Sequence, residues 1–211
     1  MDDNQNINFL KDFTDQGLKY LVQCSNIPEE GGELFKICLD FWYFFTMDIL
    51  QKTKKNIFSG ITPNPIPGMN LDTSQSLLQN SFMHGQIYPK ILEELRETMI
   101  DKMAKPKEVL VVIDDNGEAV EEHFQDTETI HLYEQMREIL VFLTNIDSKA
   151  MDRCTQRRLD KITSDKSYFS FDRLNKLCWA LGSISGCMSI DDENRFVVAV
   201  VKELLNLCEK T

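Results

Sequence analysis

Apolar side chains recur at helical spacing along most of the chain. Phe196, Val197, Val200, Val201, Leu204, Leu205 and Cys208 form the clearest row and predict a C-terminal helix. Asp191 and Asp192 precede it and suit a helix N-terminus, by capping and by the macrodipole. Upstream, Leu174, Leu177, Cys178, Leu181 and Ile184 outline a second helix, capped near Ser170. Gly182 and Gly186 lie four apart on it and read as small residues that permit close packing. Leu132, Met136, Ile139, Leu140 and Leu143 mark a third, with a polar extension from Asp152 to Lys161. The cations of that extension, Arg153, Arg157, Arg158 and Lys161, read as a solvated face. A fourth helix is predicted from Ile87 to Met103, with Pro89 in its first turn, where proline is tolerated. A fifth runs from Leu34 to about Lys52 and is rich in large residues, among them Phe35, Phe41, Trp42, Phe44 and Phe45. A weaker sixth spans about Ile7 to Cys24, with Gly17 a candidate interruption.

Between the fifth and fourth helices lies a segment, 56–81, holding Gly60, Gly68 and prolines 63, 65 and 67. Proline at alternate positions forbids regular helix and favours extended backbone. An exposed, mobile loop is expected there. In chain order the helices make three consecutive pairs, the last spanning about 40 residues, near the period of HEAT or armadillo repeats. An all-α solenoid and a compact helical bundle both fit this pattern.

The segment 108–128 differs from the rest. It carries eight carboxylates, Glu108, Asp114, Asp115, Glu118, Glu121, Glu122, Asp126 and Glu128, and no Lys or Arg. Eight of the net eleven negative charges therefore sit in 21 residues. Val109 to Ile113 has strong strand preference, and Asn116-Gly117 suits a two-residue type I′ turn. The expectation is a β-hairpin in which Asp115 faces Glu118, Ile113 faces Val120 and Val109 faces Phe124. Val109, Val111, Ile113, Val120 and Phe124 would then share a face able to lie on the helices. The like charges at Asp115 and Glu118 would cost a few tenths of a kcal/mol, relieved by a cationic partner. An acidic loop that only aids solubility fits the same residues.

Composition narrows the function classes. The 211 residues are 42% apolar, enough to bury a core, and one structural unit is expected. A formal net charge of −11 argues against broad binding to nucleic acid or anionic membrane. The longest apolar run, Phe196 to Val201, falls far short of the roughly 20 residues of a membrane span. The start, Met1-Asp2-Asp3-Asn4-Gln5, does not read as a signal peptide, so the cytosol or nucleus is expected. Six scattered cysteines, Cys24, Cys38, Cys154, Cys178, Cys187 and Cys208, form no C-x-x-C pair and read as reduced, buried thiols.

Catalytic signatures are missing. His84, His123 and His131 belong to no H-E-x-x-H pattern, and there is no P-loop or G-x-G-x-x-G. Gly182-Ser183-Ile184-Ser185-Gly186 has isoleucine where a nucleophile elbow has serine. The stretch from Asp114 to Gly117 does not match a calcium loop, because its glycine comes too early and Gln125 replaces the closing glutamate. No enzyme, metal or cofactor is expected.

Longer stretches carry a family likeness. Met103 to Val112 (MAKPKEVLVV) resembles the exportins that carry leucine-rich nuclear export signals, the chromosome region maintenance exportins of the importin-β superfamily. Leu177 to Gly186 (LCWALGSISG) resembles them too, as do Phe35 to Leu39, Tyr133 to Glu138 and Leu207 to Glu209. The likeness is collinear from about Gly17 to Lys210. It implies three HEAT repeats, with helix pairs near 5–25 and 31–54, 83–103 and 130–162, and 170–187 and 190–210. It implies that the hairpin is the family's acidic loop, which crosses the inner surface, contacts the GTPase Ran in its GTP state and otherwise helps hold the cargo groove closed. Asp114, Asp115, Glu118, Glu121, Glu122 and Asp126 are then the residues implied to meet basic residues of Ran. The implied partners are Ran-GTP, export-signal cargo and, through the full-length protein, nucleoporins, with shuttling between nucleus and cytoplasm.

Two departures qualify the likeness. Segment 56–81 does not match closely and receives no role. The chain also stops before the family's hydrophobic cargo groove and its inhibitor-reactive cysteine, so a portion of a longer receptor is expected. The rival expectation is a standalone helical adaptor whose acidic hairpin binds some other basic protein.

Overall fold

The computed structural model describes residues 2–28, 32–59, 88–106, 108–113, 116–124 and 127–210. In order these form α1 (Asp2–Asn26), α2 (Glu33–Ser59), α3 (Pro89–Asp101), β1 (Glu108–Ile113), β2 (Ala119–Phe124), α4 (Thr127–Ile146), α5 (Ser148–Ser164), α6 (Phe171–Ile184) and α7 (Ile190–Lys210). The chain divides into two compact units, one of 1–98 with 142–151 and the other of 99–141 with 152–211.

The helix ends follow from local chemistry. Gly17 does not interrupt α1, which is continuous through it. Lys36 N–H donates to the Gly32 carbonyl at 3.0 Å, opening α2, and Gly32 has a φ of 65°. That helix runs to Ser59, seven residues beyond Lys52, because no breaker stands before Gly60. Residues 56–59 of the expected loop are therefore helical, and 60–81 lie outside the described residues. Pro89 begins α3, where its missing N–H has no helical partner to lose.

The third sequence-predicted helix is two helices. Asp147 separates α4 from α5, and its Oδ1 accepts from the Ala150 N–H at 2.9 Å. A side chain that satisfies an orphan donor starts a new helix without any glycine or proline. Ser170 caps α6 in extended backbone, its Oγ accepting from the Arg173 N–H. Gly186 is not on α6, contrary to the packing expectation; it follows the C-terminal cap with a φ of 80°. Gly182 is exposed, and a methyl group there would meet nothing within 4 Å. Ser189 caps α7, so Asp191 and Asp192 lie in its first turn rather than before it.

In the first unit, Phe35, Leu39, Trp42 and Ile49 of α2 are buried, as are Leu18 and Val22 of α1 and Leu92 and Leu95 of α3. A polar node lies inside it. The Trp42 Nε1–H donates to Ser25 Oγ at 2.9 Å, and Ser25 Oγ–H donates to the Leu21 carbonyl at 2.8 Å. Asn26 Nδ2 donates to Thr98 Oγ1 at 3.0 Å, tying α1 to α3. Buried polar groups carry little net penalty when partnered in this way.

In the second unit, Met136, Ile139 and Leu140 of α4 are buried, as are Cys154, Leu159 and Ile162 of α5 and Leu177, Ala180 and Ile184 of α6. The rings of Tyr133 and Trp179 meet edge-on at 5.5 Å. The apolar row of α7 is only partly covered: Phe196 is buried, whereas Val197, Val201 and Leu205 are exposed.

Candidate partner-binding site

The acidic segment lies in chain order between α3 and α4. Its strands are antiparallel, with Glu108 opposite Phe124, Leu110 opposite Glu122, Val112 opposite Val120 and Ile113 opposite Ala119. That register is one residue away from the expected one. Ile113 opposite Ala119 departs from the register that a two-residue type I′ turn at Asn116-Gly117 requires, so that turn is corrected. Such odd spacings are closed by a turn followed by a single residue of positive φ, and Gly117 has a φ of 84°. Because faces alternate along a strand, a shift by one residue regroups them. Val120 now pairs with Val112 rather than Ile113, and Phe124 with Glu108 rather than Val109. The proposed five-residue apolar face does not survive, and Ile113, 77% exposed, does not lie on the helices.

The six implied partner residues divide by place. Glu121 and Glu122 are in β2 opposite Val111 and Leu110, and Glu118 is exposed just before it. Asp114, Asp115 and Asp126 lie outside the described residues. The expected Asp115–Glu118 pair therefore lies outside the described residues. Two strands of six residues thus hold the segment's central carboxylates at successive positions of a ladder.

Two cations of the stretch expected as a solvated face, Arg158 and Lys161, instead take part in a second charged site. Arg158 of α5 grips Asp101 with both guanidinium nitrogens, one contact being Nη2 to Oδ2 at 2.7 Å. Its side chain is only 13% exposed. Asp172 in the first turn of α6 binds Lys176 at 2.8 Å and Lys105 at 3.3 Å. The Lys176 hydrogen bond is the chief cause that holds the Asp172 carboxyl below the usual aspartate range, with Lys105 adding to it. Lys161 and Arg173 both lie over the Tyr168 ring, 3.9 and 4.3 Å from its centre. The available signal was the i, i+4 spacing of Asp172 and Lys176; the Arg158–Asp101 contact, 57 residues apart, left none.

The cysteine expectation holds for two positions and fails for one. Cys38 and Cys154 are buried, Cys24 and Cys187 are half-buried, and Cys178 is exposed. Cys178 follows the buried Leu177 directly, a step of about 100° round the helix that turns it away from the core. The side chain of Cys208 lies outside the described residues. Among the described residues, no group of three His, Cys, Asp or Glu side chains is placed to hold a metal ion, and no helix is long and apolar enough to cross a membrane.

Three family models match in succession. Residues 12–50 match a chromosome region maintenance or exportin repeat, 84–151 match CRM1/exportin repeat 2, and 165–211 match CRM1/exportin repeat 3. The chain belongs to the CRM1/exportin repeat family. It is 42% identical over 209 residues to Exportin-1 of Drosophila melanogaster, covering 94% of this chain and 17% of that protein. Exportin-1 of Dictyostelium discoideum is also 42% identical, over 90% of this chain and 16% of that protein. Protein EXPORTIN 1A of Arabidopsis thaliana is 37% identical, over 92% and 18% respectively. The chain thus spans under a fifth of the length of these relatives. Its exportin repeats are helical and HEAT-like: α1 and α2 contribute to the first match, α6 and α7 to the third. The acidic strand pair falls within the second match, between α3 and α4.

Proposed function

We propose that this chain is a segment of a nuclear export receptor that binds Ran-GTP through its inner surface and acidic loop. In the full-length protein that binding would be coupled to export-signal cargo. The observation that carries the reading is the placement of the carboxylate-rich strand pair inside an exportin repeat, flanked by its helices. An acidic element with alternative positions, one of them selected by Ran-GTP, gives the coupling a two-state basis. Asp114, Asp115, Glu118, Glu121, Glu122 and Asp126 are the proposed contacts. Shuttling between nucleus and cytoplasm, with contacts to nucleoporins, belongs to the full-length receptor on the same reading.

The test is binding of the purified chain to Ran loaded with a non-hydrolysable GTP analogue or with GDP. Preference for the GTP form is expected, weakening as salt rises. Changing all six carboxylates to their amides is expected to weaken binding about tenfold or more, whereas each alone changes it by about 0–1 kcal/mol. Equal binding of both nucleotide forms, or indifference to the six changes, would falsify the reading. Binding of a different basic protein through the same carboxylates would instead favour an adaptor.

A further inference from the structure

Helix α7 has two apolar faces. Phe196, Val200 and Leu204 follow one another four residues apart on the first, and Phe196 is buried there. Ile190, Val197, Val201 and Leu205 lie on the second. Their steps of seven, four and four residues keep them on one stripe at about 100° per residue. All four are exposed, Ile190 at 80% and Leu205 at 60%, and the exposed Val198 borders them. On one side the stripe opens into a groove of about 190 Å³ between α6 and α7. Leu181, Met188, Val197 and Val201 line it, and its accessible wall is chiefly apolar. Scattered apolar side chains on a surface are ordinary, but a continuous stripe along one helix marks an interaction surface.

We propose that a second copy of this chain covers this stripe, its α7 lying antiparallel on the first about a two-fold axis between Val197 and Val198. The occupant follows from the symmetry of the stripe. Ile190 and Leu205 are equidistant from that centre, so an antiparallel copy sets Ile190 against Leu205 twice, and Val197 against Val198. The flank repeats the pattern in charge. Asp191 and Lys202 are both exposed and eleven residues apart, about three turns, so they share one side of the stripe. Antiparallel pairing brings like flanks together. Lys202 of each copy then lies opposite position 193 of the other, within half a turn of its Asp191, and two reciprocal ion pairs result. An unrelated amphipathic helix would need neither the equidistance nor the reciprocal charge. Covering the five side chains on both copies removes on the order of 1,000 Å² from water, the lower end for a specific interface, so micromolar association is expected. The surface uses none of the six carboxylates proposed to meet Ran and does not rest on that reading.

The experiment is sedimentation equilibrium of the full 211-residue chain through the micromolar range. Salt of about 0.15 M screens the repulsion between two chains of net charge −11, and a reductant keeps the exposed Cys178 from cross-linking. A reversible dimer is expected. Val201→Glu, which would bury an unpaired charge, should weaken it about tenfold or more. Ile37→Glu, at an equally exposed apolar position on α2, should leave it unchanged. Asp191→Lys and Lys202→Asp should each weaken self-association severalfold, and mixing the two variants should restore it, because the mixed pair carries opposite charges at both contacts. Thermal melts confirm that each variant folds. A chain that stays monomeric leaves the stripe to a different helix and overturns the proposal. So does a dimer indifferent to Val201→Glu, or one weakened as much by Ile37→Glu. Mixed variants that associate no more tightly than either alone overturn the antiparallel pairing and the proposal with it.

Discussion

The polar node of the first unit and the charged cluster of the second both join helices through polar groups, yet by opposite physics. Around Trp42 the groups are neutral, and the indole and its acceptor Ser25 are both fully buried. Around Asp172 the groups are ionised and partly exposed, and one carboxylate serves two cations. A buried neutral network costs most when one member is lost, because its partner stays desolvated. An exposed ion pair costs little, because water replaces the partner. The first arrangement suits a fixed joint, and the second a junction that water can share.

Trp42→Ala should show the largest effect, about 3–5 kcal/mol in denaturant unfolding, since it empties the centre of the first core. A loss below 1 kcal/mol would mean that α2 does not anchor that unit. Ser25→Ala comes next. It leaves the buried indole N–H without its acceptor and should cost about 1–3 kcal/mol. If Ser25→Ala proved neutral, water would have to reach Trp42, and the contrast with the Asp172 cluster would weaken. Asp172→Asn should be smallest, about 0–1 kcal/mol for a side chain half exposed. Its signature is instead in pH. Asp172 and Asp165 are both held below the ordinary aspartate value, Asp172 first by Lys176 and Asp165 first by the Ser167 hydroxyl. Their folded forms bind fewer protons than the unfolded chain, so their contribution is whole above about pH 4 and lost as pH falls through their lowered values. An acid melt should show this loss in wild type and less of it in Asp172→Asn. An unchanged acid profile would remove Asp172 from the account.

What could be read in advance follows the range of the interaction. Helix rows such as Leu132 to Leu143 are set by neighbours three and four residues apart, and the sequence displays that spacing directly. The break at Asp147 went unread because a capping aspartate looks like any polar residue within a helical extension. Gly186 was read by its spacing from Gly182, whereas its place past the end of α6 decides its role. The strand pair shows the same limit. Strand preference is local, but register depends on how many residues close the turn, and one residue regroups every face. The family likeness supplied the acidic residues, and no spacing rule would have ranked them above other carboxylates. The charged cluster was invisible for the remaining reason, that Arg158 and Asp101 meet across 57 residues.

The chain has two tryptophans, and they fall one in each unit. Trp42 is fully buried with its indole hydrogen-bonded to Ser25, whereas Trp179 is half-buried against the edge of Tyr133. A dry indole emits at shorter wavelength than one that shares its surroundings with water. The intrinsic fluorescence of this protein is therefore a two-colour signal, in which the blue side follows the packing of the first unit and the red side that of the second.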